Sequence, residues 1–187
     1  MESDEILLEN GIIIRSARAG EQAEIANVQL NSWREAYRGL LPQEYLDQLP
    51  LTFSRRKNWW EKIIAERQKF VLRVAVDKSG IVGFASFEAG RDAGMESLAE
   101  VAAIYLFEKF KGQRIGFGLL SSGLKQMGDK GFKRAYCWVL EGNPTIKFYE
   151  RTGAKFSEKL KSAQIGGRDV QELCFEWVDI QQLFAAK

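Results

Sequence analysis

The stretch EVAAIYLFEKFKGQRIGFGLL, residues 100–120, joins an apolar strand-like run to a basic turn with glycines and then to a leucine-rich helical run. Glycine lets backbone N–H groups approach a ligand, and the first N–H groups of a helix have no partner within the helix. The helix dipole adds attraction for anions. A chain with this junction is therefore expected to hold a phosphate or diphosphate where the strand passes into the helix.

The glycine pattern of this turn matches neither of two common nucleotide motifs. No Gly-Lys-Ser/Thr follows it, as in a Walker loop, and the dinucleotide pattern G-x-G-x-x-G is absent. Lys109, Lys111 and Arg114 add positive charge around the turn. The alternative explanation is that the glycines serve only a tight turn and close packing.

The composition excludes several kinds of site. The chain has 187 residues, 45% of them hydrophobic and 28% charged, which suits one globular domain. It contains no histidine, so His-centred triads and His-ligated metals are excluded, and no metal site is expected. Cys137 and Cys174 lie in strand-like runs and are interpreted as reduced core thiols. The net charge of +2 is too balanced to indicate a nucleic-acid partner.

The sequence also bears on location. No apolar run approaches the ~18 residues of a membrane span, so no membrane partner is expected. The N-terminal segment MESDEILLEN is acidic where a secretion signal is basic. A cytoplasmic location is therefore expected, and a homodimer is left open.

Hydrophobic periodicity predicts an α/β fold of the α+β type, with one domain at residues 11–187 after an N-terminal tail at residues 1–10. The sheet is expected to be mixed and mostly antiparallel, with about six to seven strands and helices on both faces. One parallel crossover is predicted around residues 116–131. Strands are predicted at residues 12–18, 70–77, 81–90, 97–107, 134–140, 155–165 and 169–177, and helices at residues 20–38, 52–67, 116–130 and 143–153.

The runs AEVAAIYLFEKFKGQRIGFGLL and GFKRAYCWVLEGNPTIKFYERTGAKF, taken together, resemble the core of the GNAT superfamily of acetyl-CoA-dependent N-acetyltransferases. The order is the same: an acidic residue, an apolar strand, a glycine turn, a helix, a second strand, an asparagine, and a helix carrying Phe-Tyr and a glycine. The run SWREAYRGLLPQEYLDQL is similar to the N-terminal segment of many bacterial members.

Two frames align the turn with the family's (Gln/Arg)-x-x-Gly-x-(Gly/Ala) pattern. A frame starting at Gln113 restores this pattern but shifts the turn by two residues against the strand. The preferred frame keeps the strand length and the double leucine, and it puts Lys111 and Arg114 where Gln or Arg and the first glycine usually stand. Arg114 is then expected to contribute its backbone N–H, with the guanidinium facing solvent or phosphate.

The resemblance implies a GNAT-like fold and transfer of the acetyl group from acetyl-CoA directly to a primary amine of a small molecule or peptide. It implies that the strand at residue 100 splays from the next one, so that an N–H at Ile104 or Leu106 meets the thioester oxygen. The residues that it implies for coenzyme A binding are Ile104, Tyr105, Leu106, Lys111, Gly112, Gln113, Arg114, Ile115, Gly116, Phe117, Gly118, Asn143 and Phe148.

Two residues are candidates for proton transfer. By the resemblance, Tyr149 lies near the sulfur of coenzyme A, where a phenol can protonate the leaving thiolate. Glu100 is the candidate base; the alternatives are a solvated charge at an exposed strand end and a water chain. Strand alternation predicts that Glu100 shares a face with Ile104 and Leu106. Asn143 is expected to cap the following helix while contacting the pantetheine arm.

The resemblance implies an acceptor pocket between the first two helices and the final hairpin, beside Trp33, Glu35 and Tyr37, whose aromatic and acidic groups suit a cationic amine. Core packing is the alternative explanation for Trp33 and Tyr37. Other functions stay open, namely acetylation of protein N-termini or lysines and an acyl-CoA-binding relative without catalysis. A nucleic-acid-binding module is a more distant alternative.

Overall fold

A computed structural model describes residues 5–185. Its strands are β1 (Ile6–Leu7), β2 (Ile13–Ser16), β3 (Val71–Asp77), β4 (Gly80–Ala89), β5 (Ala99–Leu106), β6 (Ala135–Leu140), β7 (Lys155–Ile165) and β8 (Arg168–Trp177). Its α-helices are α1 (Gln22–Ala36), α2 (Gln43–Gln48), α3 (Phe53–Ala65), α4 (Ile115–Asp129), α5 (Ile146–Arg151) and α6 (Gln182–Ala185). Two 3₁₀ turns cover Leu49–Thr52 and Glu108–Phe110.

The strands form one sheet in the order β1-β2-β3-β4-β5-β6-β8-β7. Neighbouring strands are antiparallel except β5 and β6, which are parallel and are joined by the crossover helix α4. This confirms the predicted crossover. The last two strands form the predicted hairpin, in which Gly166 and Gly167 have φ of +60° and +79°, angles that favour glycine.

The two faces of the sheet bury different residues of the same strands. Val74 and Phe84 pack with residues of α1 and α3 on one face, whereas Ala75 and Ala85 pack with α4 on the other. This alternation is what a strand's two-residue period requires when both faces are covered. No described helix combines the length and the apolar character needed to cross a membrane.

The sheet has one or two strands more than the six to seven expected. Strand β1 lies within the predicted tail and pairs through Ile6–Ile14 and Leu7–Ile13, while residues 1–4 lie outside the described part. Helices α2 and α6 were also not predicted. These elements have two, six and four residues, which are too few for a hydrophobic period to show.

Candidate active site

Strands β5 and β6 separate soon after they begin. They pair only through Ala99–Ala135 and Glu100–Tyr136, whereas β5 stays paired with β4 as far as Leu106. The gap is a cleft of about 90 Å³, with walls that include Ile104, Leu106, Asn143 and Tyr149. The cleft lies where the family resemblance implied a splay.

A β-bulge in β5 decides which side chains reach each face. Val101 lies opposite Phe87 and Ala103 opposite Ser86, so Ala102 is an extra residue in the ladder. Val101, Ile104 and Leu106 pack with the α4 cluster, whereas Ala103 and Tyr105 pack on the other face. The predicted alternation, which placed Glu100 with Ile104 and Leu106, is therefore wrong, because the bulge reverses the faces.

The open edge of β5 carries unpaired backbone groups. The Phe107 N–H donates to the Val82 carbonyl at 3.1 Å, so in the antiparallel ladder Tyr105 also turns its backbone toward β4. Ile104 and Leu106 consequently turn their N–H and C=O groups toward the gap. Tyr105, which was predicted to bind coenzyme A with these two residues, also lines the cleft, and its ring lies beside α1, 6.4 Å from the ring of Trp33.

Helix α4 begins near the open end of the cleft, beyond Leu106 and Lys111, and its first N–H groups are uncapped. No side chain caps the helix, and Arg114 precedes it in the left-handed conformation, with φ of +61°. The preferred alignment frame placed Arg114 at a usual glycine position, and this backbone angle is the one that glycine adopts without strain. The N–H groups at positions 115–117 are therefore a ready site for an anion.

The other residues of the predicted phosphate turn differ in their roles. Gly118 already donates its N–H to the Arg114 carbonyl at 3.0 Å, and a Cβ there would collide with Ile14, so this glycine serves helix packing. Gln113 donates its side-chain amide to the Lys109 carbonyl at 3.1 Å. Lys111 pairs with Glu108 at 2.5 Å and lines the cleft. Gly112 has φ of +76°, which the turn requires.

The segment before α5 holds Asn143 and Tyr149 against the cleft. The side-chain oxygen of Asn143 accepts the Thr145 N–H at 2.9 Å, so it acts as a cap, although the helix begins at Ile146. Tyr149 is 6% exposed, and burial next to the Cys137 thiol raises the pKa of its phenol well above the ordinary value. The phenol therefore stays protonated at neutral pH. Phe148 packs beside it, with ring centroids 5.5 Å apart.

Glu100 lies at the closed end of the gap and is not among the residues lining the cleft. Its carboxylate accepts two bonds from Arg91, at 2.9 Å and 2.5 Å, and a third from the Tyr136 hydroxyl at 2.9 Å. It is 4% exposed, so the alternative of a solvated charge at an exposed strand end is wrong. Its role as a base stays a prediction.

Aromatic rings cover the other side of the cleft. The rings of Trp33 and Tyr37 lie 4.8 Å apart, and the hydroxyls of Tyr37 and Tyr105 are 3.5 Å apart. Burial raises the pKa of both phenols. Glu35 is exposed, and it is two residues from both Trp33 and Tyr37, which places it on the opposite side of α1. The structure therefore separates Glu35 from the other two predicted acceptor residues.

Sequence reasoning missed two charged residues near these rings. The guanidinium carbon of Arg56 lies 5.0 Å from the centroid of Trp33. Glu172 lies on β8 two residues from Val170, which packs in the cluster that Trp33 and Tyr37 adjoin. A signal existed for Arg56, since it is four residues before the buried Trp60 and so shares the apolar face of α3. None existed for Glu172.

Comparison with known proteins agrees with this architecture. The sequence profile of the acetyltransferase (GNAT) family matches residues 30–154. The chain belongs to the GNAT acetyltransferase family. The uncharacterized N-acetyltransferase YuaI of Bacillus subtilis is 30% identical over 174 residues, which cover 92% of this chain and 96% of that protein.

Solved structures share the fold of this GNAT chain. PaiA N-acetyltransferase from Thermoplasma acidophilum, solved in complex with coenzyme A, superposes with a TM-score of 0.72 at 22% identity, covering 88% of this chain and 97% of that one. YncA from Salmonella typhimurium, solved with its cofactor acetyl-CoA, gives a TM-score of 0.67 at 18% identity, covering 90% and 94% of the two chains.

Proposed function

We propose that this GNAT acetyltransferase moves the acetyl group of acetyl-CoA directly to a primary amine of a small molecule or peptide. The observation that carries the proposal is the cleft between β5 and β6, because it brings an open strand edge, an uncapped helix N-terminus and a buried phenol together. Each of these three features matches one chemical part of an acyl-CoA.

The residues around the cleft fit coenzyme A. The backbone of Ile104 and Leu106 can pair with the amide groups of the pantetheine arm as an added strand would. The N–H groups at positions 115–117, with the cations of Lys111 and Arg114 nearby, suit the diphosphate. Asn143 lines the cleft, and the ring of Phe148 lies next to Gly116 in the first turn of α4. When bound, acetyl-CoA supplies an acetyl thioester, which an amine can attack.

The protein's own groups supply the proton transfers of this reaction. The amine must lose a proton as the new carbon–nitrogen bond forms, and Glu100 receives that proton, through water because its oxygens are already hydrogen-bonded. As the carbon–sulfur bond breaks, Tyr149 donates its phenolic proton to the sulfur. An N–H at Ile104 or Leu106 donates to the thioester oxygen and stabilises the developing negative charge.

The first experiment is calorimetric titration of the protein with acetyl-CoA, followed by measurement of coenzyme A release with a panel of amines, amino acids, polyamines and peptides. Micromolar binding and amine-dependent release are expected. Binding without turnover of any amine would favour an acyl-CoA-binding relative without catalysis. No binding would overturn the proposal, because the cleft would then not hold coenzyme A.

A further inference from the structure

Arg56 lies on the acceptor side of the cleft in a fixed position. Its guanidinium stacks over the Trp33 ring at 5.0 Å, and its Nε donates to the Thr52 hydroxyl at 3.0 Å. Trp33 in turn contacts Tyr37 and Tyr105, both of which line the cleft. The guanidinium is thus held beside the cluster of aromatic rings formed by Trp33, Tyr37 and Tyr105, next to the cleft.

The charge of Arg56 lacks an anionic partner in the described part of the chain. None of the ion pairs found among residues 5–185 includes Arg56, whereas the largely buried Arg15 pairs with Glu21, and even the exposed Arg91 and Arg134 each pair with a carboxylate. Burial lowers the pKa of the Arg56 guanidinium, which means that its surroundings disfavour the charge. A half-buried cation without an anion is costly, so an anion on a ligand would gain from binding here.

A purely structural role for Arg56 uses only part of its side chain. Stacking on Trp33 needs the plane of the guanidinium, and the bond to Thr52 needs Nε. The two terminal nitrogens carry four N–H groups, which in arginine form the fork that binds a carboxylate at two points. In the described residues these nitrogens make no hydrogen bond to the protein.

A negative charge also lies near the aromatic rings. Glu172 is half-buried, and its negative charge acts on the phenols of Tyr37 and Tyr105. It is only loosely paired with Lys161, at 3.6 Å. A ligand with both a cationic amine and an anionic group therefore meets charges of both signs near Tyr105.

We propose that the acceptor is a small zwitterion, a free amino acid or a close analogue, whose carboxylate is bound by Arg56 while its amine points into the cleft. This inference rests on the proposed acetyl transfer and adds the substrate class. The aromatic rings of Trp33, Tyr37 and Tyr105 favour an acceptor with an apolar or aromatic side chain over a small polar one.

The test compares acceptors that differ only in the carboxylate. Each of a panel of amino acids, including L-methionine and L-phenylalanine, is assayed beside its amide and its decarboxylated amine. We expect kcat/KM of the wild-type protein to be higher for amino acids by about tenfold to a hundredfold, since a hydrogen bond to a charged group contributes about 1.5–3 kcal/mol.

Variants at two neighbouring arginines separate a specific role from a general charge effect. Arg56→Gln should remove the preference for the carboxylate, so that kcat/KM for each amino acid falls to the level of its decarboxylated amine. Arg56→Lys should restore only part of it, since lysine lacks the planar fork. Arg55→Gln is the matched control: Arg55 is exposed, and its loss should leave the preference intact.

Failure of this inference is distinguishable from failure of the proposed function. Turnover confined to amines without a carboxylate, or an unchanged preference in Arg56→Gln, overturns the role of Arg56 while acetyl transfer stands. Turnover of no amino acid in the panel has the same consequence. Loss of acetyl-CoA binding in the wild-type protein refutes the underlying function, and Arg56→Gln should bind acetyl-CoA as the wild type does.

Discussion

At the scale of single residues, burial determines what Tyr149 can do. The phenol is 6% exposed and its pKa lies well above the ordinary value, so it keeps its proton over the range in which amines lose theirs. The phenol therefore has its proton available when the thiolate leaves. Removing its hydroxyl should therefore affect the departure of the thiolate more than the binding of acetyl-CoA.

Tyr149→Phe should lower turnover at least about tenfold while the acetyl-CoA dissociation constant stays nearly the same. Steady-state kinetics and calorimetry measure the two quantities. In the wild type, activity should rise with pH as the amine deprotonates and should not fall again below pH ~10, because the raised pKa keeps the phenol protonated.

Tyr45→Phe provides the control, because Tyr45 packs in the cluster beside α2 and does not line the cleft. This variant should keep most of its turnover. Unchanged turnover in Tyr149→Phe would remove Tyr149 as the proton donor. An alkaline loss of activity well below pH ~10 would contradict the protonated state.

The backbone of Arg114 is held in a strained conformation by the turn before α4. A non-glycine residue in the left-handed region costs about 1 kcal/mol, and Arg114 has φ of +61°. Arg114→Gly should raise the free energy of unfolding by about 0.5–1 kcal/mol, whereas Arg114→Ala should not, because alanine keeps the Cβ. Urea denaturation measures the difference.

The same two variants test whether the Arg114 guanidinium meets phosphate. Both lose the side chain, so both should weaken acetyl-CoA binding to a similar extent, and the loss should be smaller at high salt. A glycine variant no more stable than the alanine variant would contradict the strain. Equal affinity in all three proteins would place the guanidinium in solvent.

At the scale of elements, the packing of α4 on the sheet depends on glycine. A Cβ at Gly123 would overlap the ring of Phe87, which is fully buried and cannot move aside, whereas a Cβ at Gly128 would lie 3.6 Å from Ile180, an ordinary contact. Both glycines lie within the same helix. The space beside each glycine therefore determines whether an added methyl group can be accommodated.

Gly123→Ala should destabilise the protein by about 1–3 kcal/mol through overpacking. Gly128→Ala should stabilise it by about 0.5–1 kcal/mol, since alanine is the better helix former. Chemical denaturation of the two variants gives both values. Stabilisation by both substitutions would show that α4 lies farther from β4 than the structure has it.

At the scale of the whole molecule, the network around Glu100 closes one end of the gap between β5 and β6. Arg91, which follows β4, donates to Glu100 on β5, and Tyr136 on β6 donates to the same carboxylate. The bonds therefore link three consecutive parts of the sheet at the point where it opens. Glu100 is at once a structural link and the proposed base.

Glu100→Gln should lower the free energy of unfolding by about 1–3 kcal/mol, because the amide cannot replace the ion pair with Arg91. If Glu100 also accepts the proton, turnover should fall most at low pH, where the amine is hardest to deprotonate. A lower stability with a wild-type pH profile would leave only the structural role and favour a water chain or another base.

Much of this architecture was predictable from local pattern. Long elements such as α1, α4, β4 and the β7–β8 hairpin were found because they show a hydrophobic pattern over many residues. The pattern follows the helical period in the helices and marks apolar, β-rich runs in the strands. The junction of β5 and α4 was found because glycines, cations and a strand stand together in the chain. Tyr149 and Asn143 followed from the family resemblance.

Other features required the folded chain. The bulge at Ala102 changes the faces of β5, yet a single extra residue leaves no trace in a run of small apolar side chains. Glu35 looked as suitable as Trp33, but the helix turns it away. Arg56 and Glu172 are far apart in sequence, and only packing of α3 and β8 around the same rings brings their charges near the cleft.

The sequence by itself determined the family, the order of the main elements and the place where coenzyme A is expected, because these depend on residues that are neighbours along the chain or repeat with a regular period. The tertiary structure alone decided which backbone groups of β5 open into the cleft, that Glu100 is held by Arg91 and Tyr136, and which charges lie near the cleft. Such features depend on contacts between distant segments, and their energies are set by burial, which local pattern does not encode.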